Sequence, residues 1–205
     1  MKKILTPEIA KRIINTKGKV RGWDLKWIVE FIVKEKGKKG LEKVKKRMEE
    51  LGCPLPEEYL KRVEFSPLGL RILIILSAKE VFDWGEKKLQ EWGESIPKRL
   101  MVMKIFSRLF GINKKFLFYD LPKISSRYLK GLKVVPIEAD IKQKYAIFRF
   151  NKPDISGISE EIEKVSLAFY KGFILGWAQM VLGSEKIRCE IYKKDKYYEF
   201  VIRWN

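Results

Sequence analysis

Hydrophobic positions in the first third of the chain recur with helical spacing. Thr6-Pro7 predicts a helix start, because the hydroxyl can cap a free amide and proline needs no amide partner in a first turn. A second helix is predicted from Trp23 to Gly37, and a third, amphipathic helix is predicted to end at Gly52. The basic, glycine-punctuated segment 16–22 between the first two helices is interpreted as a connector.

The middle of the chain predicts the most deeply buried helix. Ser66-Pro67 is expected to open one long helix that runs towards Trp92, because the first half of this segment is apolar nearly all round. A further amphipathic helix is predicted over residues 100–110, and Gly131 closes a last helical piece. Residues 1–131 are therefore predicted to form a mainly helical part.

From Leu132 onwards the hydrophobic period becomes two, which predicts β-strands. The first strand contains Pro136, which indicates a sheet edge or a bulge because proline cannot donate to a strand ladder. The second strand is predicted over 145–150, and a hairpin whose last strand ends at Trp204 closes the chain. One long helix, Ile158–Leu182, is predicted between the two pairs of strands.

These elements predict an α+β fold in a single domain over residues 1–205. Its helical N-terminal half is expected to pack on a four-stranded antiparallel sheet, and residues 132–205 follow the order strand-strand-helix-strand-strand. Ala168, Gly172 and Gly176 recur every fourth residue on the long helix. Since glycine lowers helix stability, this repeat implies that something approaches the backbone closely, and the sheet is the simplest partner.

Basic residues strongly outnumber acidic ones: 44 Lys and Arg against 26 Asp and Glu give a formal net charge of +18. Such a charge attracts nucleic acid, anionic membrane surfaces or acidic proteins. Plentiful Lys, Glu and Ile together with an absence of histidine are also typical of thermophile proteins, so lineage composition is a second explanation.

One cluster holds the highest density of basic residues. Its functional interpretation is a patch that contacts the phosphates of nucleic acid or an acidic protein partner, and its structural interpretation is a solvated helix face. The patch comprises Lys34, Lys36, Lys38, Lys39, Lys43, Lys45, Lys46 and Arg47.

Missing residue types exclude several chemistries. The chain has no histidine, which rules out a Ser–His–Asp triad, a Cys–His nucleophile pair and an imidazole metal site. Cys53 and Cys189 lack metal-ligand spacing and are interpreted as reduced thiols. Because these residue types are missing, no metal is expected, and a non-catalytic role is favoured over an enzymatic one. No signal-like or membrane-spanning apolar run is found, so a cytoplasmic protein is expected.

Aromatic residues from both halves of the chain provide a candidate ligand pocket between the central helix and the sheet. Plain core packing is the competing interpretation. The candidate pocket residues are Trp84, Trp92, Tyr145, Phe148, Phe169, Phe173 and Trp177.

The order of elements, with the run 169–176 (FYKGFILG) in the long helix, resembles 4-vinyl-reductase-type ligand-binding domains and related uncharacterised bacterial proteins. Further segments are similar to those uncharacterised proteins: Val20-Arg21-Gly22, the surroundings of Gly85 and Gly93, and the ending 200–204 (FVIRW). The wider superfamily of those domains includes haem–nitric-oxide-binding domains and subunits of the TRAPP tethering complex. The resemblance implies a sensory or regulatory domain that encloses a small apolar or lipid-like molecule and forms a homodimer through its N-terminal helices.

The chain also departs from these relatives. The haem-binding branch ligates iron through a histidine, so the absence of histidine excludes haem of that type. Related domains often carry two cysteines in the last hairpin, whereas here Cys189 lies only roughly near the first position and Tyr198 stands near the second. A non-catalytic domain for an unidentified apolar ligand is the leading expectation, and nucleic-acid binding through the basic patch is the alternative.

Overall fold

The computed structural model describes residues 3–61, 65–99, 129–131, 133–151, 159–182 and 186–205. The helices are α1 (Pro7–Ile14), α2 (Gly22–Glu50), α3 (Glu57–Lys61), α4 (Leu68–Phe82), α5 (Glu86–Lys98) and α6 (Glu160–Leu182). The strands are β1 (Lys19–Arg21), β2 (Phe65–Pro67), β3 (Leu129–Lys130), β4 (Val134–Asp140), β5 (Tyr145–Asn151), β6 (Ile187–Lys193) and β7 (Tyr197–Trp204). The helix predicted over 100–110 lies outside the described residues.

The C-terminal part confirms the predicted α+β architecture. Strands β4 to β7 form an antiparallel four-stranded sheet in the order β4-β5-β7-β6, and α6 lies between the two strand pairs in the chain. Strand β4 is an edge strand whose register shifts between Pro136 and Glu138, so both features indicated by that proline are present. The inward face of β7 is buried, as its alternation predicts, and consists of Tyr198, Phe200, Ile202 and Trp204.

Two of the predicted helix boundaries have clear physical causes. The Thr6 hydroxyl accepts a hydrogen bond from the Ile9 amide at 3.3 Å and so caps α1. Helix α2 is continuous over 29 residues except at Gly37, whose φ of 68° and ψ of −178° interrupt the helical geometry. A positive φ of this size suits glycine, and the two halves of α2 therefore correspond to the two helices predicted from the sequence.

The segment 16–22 is more than the predicted connector. Residues Lys19–Arg21 form β1, which pairs with β2 on one side and β3 on the other, and Val20 is fully buried. Strands of two or three residues are too short to show an alternating pattern, so this small sheet could not be predicted from periodicity.

The single long helix predicted from Ser66-Pro67 is wrong, because the chain breaks between α4 and α5. Helix α4 ends at Phe82, and the next residue, Asp83, adopts a left-handed conformation with φ of 50°. Gly85 then caps the start of α5 in extended geometry. Aspartate tolerates left-handed backbone better than most residues, and this lets the chain turn at Asp83 itself without a glycine at that position.

The partner predicted for the glycine repeat is also wrong: the glycines of α6 contact helix α5 and not the sheet. A Cβ atom added to Gly172 would lie 2.0 Å from the Gln90 carbonyl oxygen, and one added to Gly176 would lie 2.6 Å from that of Glu94. From the other side, a Cβ on Gly93 would lie 2.0 Å from the Phe169 carbonyl oxygen. The two helices therefore pack backbone to backbone.

The sheet contacts α6 differently, through large side chains. The Phe148 ring of β5 packs edge-on against the Trp177 ring of α6 at a centroid distance of 5.9 Å. The ring centroids of Phe150 in β5 and Tyr170 in α6 lie 6.5 Å apart, with the rings tilted. Rings of this size keep the sheet at side-chain distance from the helix, whereas the glycines of α6 contact the backbone of α5. Within the described segments, no helix combines the length and apolar character needed to cross a bilayer.

Candidate functional site

Three of the predicted pocket residues form one ring cluster around Trp92. This indole is fully buried, and its ring lies 5.1 Å from Trp84 and 5.7 Å from Phe169, both in edge-on geometry. Phe31 of α2, which the sequence interpretation had not included, stacks on Trp92 at 5.5 Å. The cluster joins α2, α5 and α6, and aromatic pairs at these distances stabilise the packing beyond simple burial.

Two further pocket residues, Phe148 and Trp177, form the separate pair between β5 and α6. Phe148 is 1% exposed and Trp177 is 2% exposed, so both rings lie in the core. Phe173 is partly buried and packs against the same core. The structure thus places the predicted pocket residues at two neighbouring contacts of α6, one with α5 and one with the sheet.

Tyr145 does not share a face with the other pocket residues. Strand β5 alternates, and Ala146, Phe148 and Phe150 all point into the core. Tyr145 therefore points to the opposite face, where its hydroxyl donates a hydrogen bond to Glu138. That hydrogen bond to a carboxylate raises the pKa of Tyr145. The inclusion of Tyr145 in the pocket was wrong, because residues 145 and 148 have opposite parity on the strand.

A buried ion pair adjoins the ring cluster. The side chain of Arg71 on α4 is 1% exposed, and its Nε lies 3.1 Å from Oδ2 of Asp24 on α2, whose side chain is 7% exposed. The guanidinium carbon lies 5.2 Å from the Phe169 ring centre and 5.6 Å from that of Tyr170. Burial raises the pKa of Asp24, and the charge of Arg71 opposes that rise.

Much of the hydrogen-bonding capacity of this ion pair is unused. Nη1 and Nη2 of Arg71 have no hydrogen-bond partner among the described residues, and the contact of Nε with Asp24 lacks hydrogen-bond alignment. Sequence reasoning missed Arg71, although an arginine inside the apolar run of α4 was a signal. A charged side chain within such a run must either reach solvent or find a buried partner.

A small cavity of about 10 Å³ lies beside Arg71, with room for about one water molecule. It lies between α4 and α6, and we call it the Arg71 cavity. Phe169 belongs to both this cavity and the Trp92 ring cluster, so the two features are adjacent. The cavity is lined by Arg71, Ile72, Ile75, Ser166, Phe169 and Tyr170.

The predicted basic patch divides into two classes of residue on α2. Lys45 lies 3.1 Å from Glu42 and 3.3 Å from Glu57, and its hydrogen bond to Glu42 raises its pKa. Nε of Arg47 lies 2.8 Å from Oε2 of the buried Glu80 carboxylate. The remaining members are exposed to solvent: Lys34, Lys36, Lys38, Lys39, Lys43 and Lys46.

The donor groups of this chain do not match a histidine-ligated haem. No histidine occurs anywhere in the sequence, and burial raises the pKa of the Cys189 thiol to about 12, which disfavours the thiolate needed for iron ligation. Burial also raises the pKa of Tyr170, so its hydroxyl stays protonated. Over the described part of the chain, no group of three His, Cys, Asp or Glu residues could hold a metal ion.

Comparison with solved structures shows which fold this is. An H-NOX protein from S. oneidensis in the Fe(II)NO ligation state aligns over 90% of this chain and 99% of its own, with a TM-score of 0.61 and 10% identity. A Cs H-NOX mutant carrying 4-cyano-L-phenylalanine aligns over 90% and 96%, with a TM-score of 0.59 and 12% identity. The chain therefore has the fold seen in these H-NOX structures.

A more distant likeness involves a trafficking protein particle complex subunit 3 from Naegleria fowleri, covalently bound to palmitic acid. It covers 66% of this chain and 93% of its own, with a TM-score of 0.46 and 18% identity. No protein-family model matches the chain, and no match was found among curated proteins.

Proposed function

We propose that this chain is a non-catalytic ligand-binding domain that encloses a small apolar or lipid-like molecule and serves a sensory or regulatory role. The observation that supports the proposal is the H-NOX fold, which extends over 90% of the chain. One such neighbour was solved to probe heme distortion in the H-NOX family. Because histidine is absent here, the proposed ligand is an organic molecule other than histidine-ligated haem.

The proposed binding region is the junction of α4, α5 and α6 around Phe169. A ligand that buries about 300 Å² of apolar surface there would gain about 7.5 kcal/mol before the cost of association. The Arg71 cavity has room for about one water, so a larger ligand requires α4 and α6 to move apart. Such a movement would give the bound and empty forms different shapes, as a sensory output requires.

Fluorescence of N-phenyl-1-naphthylamine, a neutral apolar probe, tests the proposal in solution. We expect saturable enhancement with the wild-type protein, and about fivefold weaker binding to Phe169→Leu, since this change removes a ring at the junction and costs about 1 kcal/mol. Tyr145→Phe is the matched control, because residue 145 points to the opposite face of β5 and its replacement leaves affinity unchanged. Absence of saturable binding, or equal losses in both variants, would contradict the proposal.

Homodimerisation through the N-terminal helices, which the family resemblance implies, and a cytoplasmic location, which the sequence pattern predicts, complete the proposal. Sedimentation equilibrium would show a mass of two chains if the dimer forms.

The exposed lysines of α2 favour a second candidate function, nucleic-acid binding. We expect affinity for random double-stranded DNA to fall steeply with salt, with a log–log slope of about −0.9 for each phosphate contacted. Reversal of Lys38, Lys39, Lys43 and Lys46 to Glu should reduce the magnitude of that slope by about 3.6 if each contacts one phosphate. The control variant reverses four exposed lysines elsewhere and reaches the same net charge: Lys133, Lys142, Lys194 and Lys196. No binding at low salt, or equal loss in both variants, would exclude the patch.

A further inference from the structure

Arg71 is an unusual group to find in the interior of this fold. Its side chain is 1% exposed, and its Nη1 and Nη2 atoms find no acceptor among the described residues. Although the guanidinium is paired with Asp24 and lies over two aromatic rings, Nη1 and Nη2 have lost their hydration without gaining an acceptor, which is unfavourable. A group that supplies an acceptor oxygen at Nη1 and Nη2 would therefore bind with a strong, charge-assisted hydrogen bond.

Asp24 cannot supply that acceptor by itself. Its Oδ2 faces Nε at 3.1 Å, while both terminal nitrogens of the guanidinium remain unpaired. Arginine presents its donors as a planar fork, so an acceptor on one edge leaves the other edge available. The carboxylate of Asp24 thus holds the guanidinium in place and leaves Nη1 and Nη2 for another partner.

The surroundings of the guanidinium match a head group attached to an apolar body. Arg71 is one of the residues that line the cavity, together with Ser166 and Tyr170, whose side chains carry hydroxyl groups. Ile72, Ile75 and Phe169 make the rest of the lining apolar. The cavity has room for an oxygen-sized group, and Phe169 connects it to the ring cluster where the apolar ligand is proposed.

We propose that Arg71 is the anchor for the carboxylate of an amphipathic apolar acid. This inference rests on the proposed function and names the chemical class of its ligand. One carboxylate oxygen takes the position beside Nη1 and Nη2, and the apolar chain extends past Phe169 into the junction of α4, α5 and α6. Asp24 is a positioning residue that orients the guanidinium from its Nε edge.

Fluorescence titration with cis-parinaric acid and its methyl ester tests this assignment on the wild-type protein. The two probes share their apolar chain and differ only in the carboxylate. We expect the acid to bind at least about tenfold more tightly than the ester, the equivalent of one charge-assisted hydrogen bond. Equal affinity for both probes overturns the anchor and leaves the apolar-ligand proposal intact. Failure of both probes to bind overturns the two proposals together.

Variants separate Arg71 from the general positive charge of the protein. In the double variant Asp24→Asn, Arg71→Gln, both buried charges are removed, so the preference for the acid should fall below about twofold. The double variant Lys38→Gln, Lys39→Gln changes only exposed positions and should keep the full preference. Retention of the preference in the first variant, or its loss in the second, contradicts the assignment.

A third variant covers the case in which removal of both buried charges prevents folding. Arg71→Lys keeps the positive charge beside Asp24 but lacks the second edge of the fork. We expect it to lose most of the preference for the acid while it still binds the ester. Undiminished preference in Arg71→Lys would show that charge alone suffices and would overturn a role for Nη1 and Nη2.

Discussion

Replacement of Gly172 by alanine is expected to lower the free energy of unfolding by at least about 3 kcal/mol, which corresponds to a Tm about 6–12 °C lower in a protein of this size. The added Cβ would lie 2.0 Å from the Gln90 carbonyl oxygen, and neither atom belongs to a flexible side chain. Relief of the clash requires α5 and α6 to move apart along their whole contact. Thermal denaturation followed by circular dichroism measures the effect.

A second substitution shows whether the loss arises at the helix contact itself. Gly93→Ala should have an effect of similar size, because its Cβ would meet the Phe169 carbonyl oxygen from the other side. The double variant should lose less than the sum of the two single losses, since one separation of the helices relieves both clashes.

Gly85→Ala is the matched control for the helix contact. No atom lies within 4 Å of the added Cβ, and the φ of −76° is one that alanine adopts freely. The cost should stay below about 1 kcal/mol, the usual scale for an N-cap change. A Tm for Gly172→Ala equal to that of Gly85→Ala would contradict the backbone-to-backbone packing.

Replacement of Glu80 by alanine is expected to cost about 3–5 kcal/mol, because it breaks a buried network at the N-terminal end of the fold. The Glu80 side chain is 3% exposed, and its Oε1 accepts hydrogen bonds from the amides of Ile4 at 2.5 Å and Leu5 at 2.6 Å. Its Oε2 accepts a hydrogen bond from Nε of Arg47 at 2.8 Å, and Nη2 of the same arginine donates to the Leu5 carbonyl. Loss of the carboxylate leaves a largely buried guanidinium and two buried amides without their acceptor.

The measurement has a local and a global readout. Hydrogen exchange should show protected amides at Ile4 and Leu5 in the wild type and fast exchange there in Glu80→Ala, together with the lower Tm. Glu50→Gln is the control, since the Glu50 side chain is 48% exposed and lies 3.5 Å from the same arginine. This change should cost less than about 1 kcal/mol. Similar exchange and similar Tm in the two variants would show that the Glu80 network does not hold the N-terminal segment.

The parts of the fold with a regular period could be predicted from the sequence. Period-two alternation located the strands of the large sheet, and Pro136 correctly indicated both an edge and a bulge. The Thr6 cap and the glycine breaks at 37 and 52 fixed helix ends, because these residue types act through their own backbone geometry. The left-handed Asp83 that ends α4 is a local feature that these rules did not detect.

The rest depends on contacts between distant residues, which a single sequence does not specify. The glycine repeat predicted a close approach correctly, but nothing in its spacing distinguishes a helix partner from a sheet. The pairing of Asp24 with Arg71 joins residues 47 positions apart, and only the arginine within an apolar run indicated that a partner must exist. Among the predicted pocket residues, strand parity alone would have excluded Tyr145.

Native mass spectrometry of the protein purified from its own host tests the ligand-binding proposal most directly. We expect a fraction of the protein to carry an organic molecule beyond the 24.3 kDa of each chain, and we expect denaturation to release it as an apolar acid. Detection of only the unmodified chain mass, under conditions that preserve non-covalent complexes, would contradict the proposal.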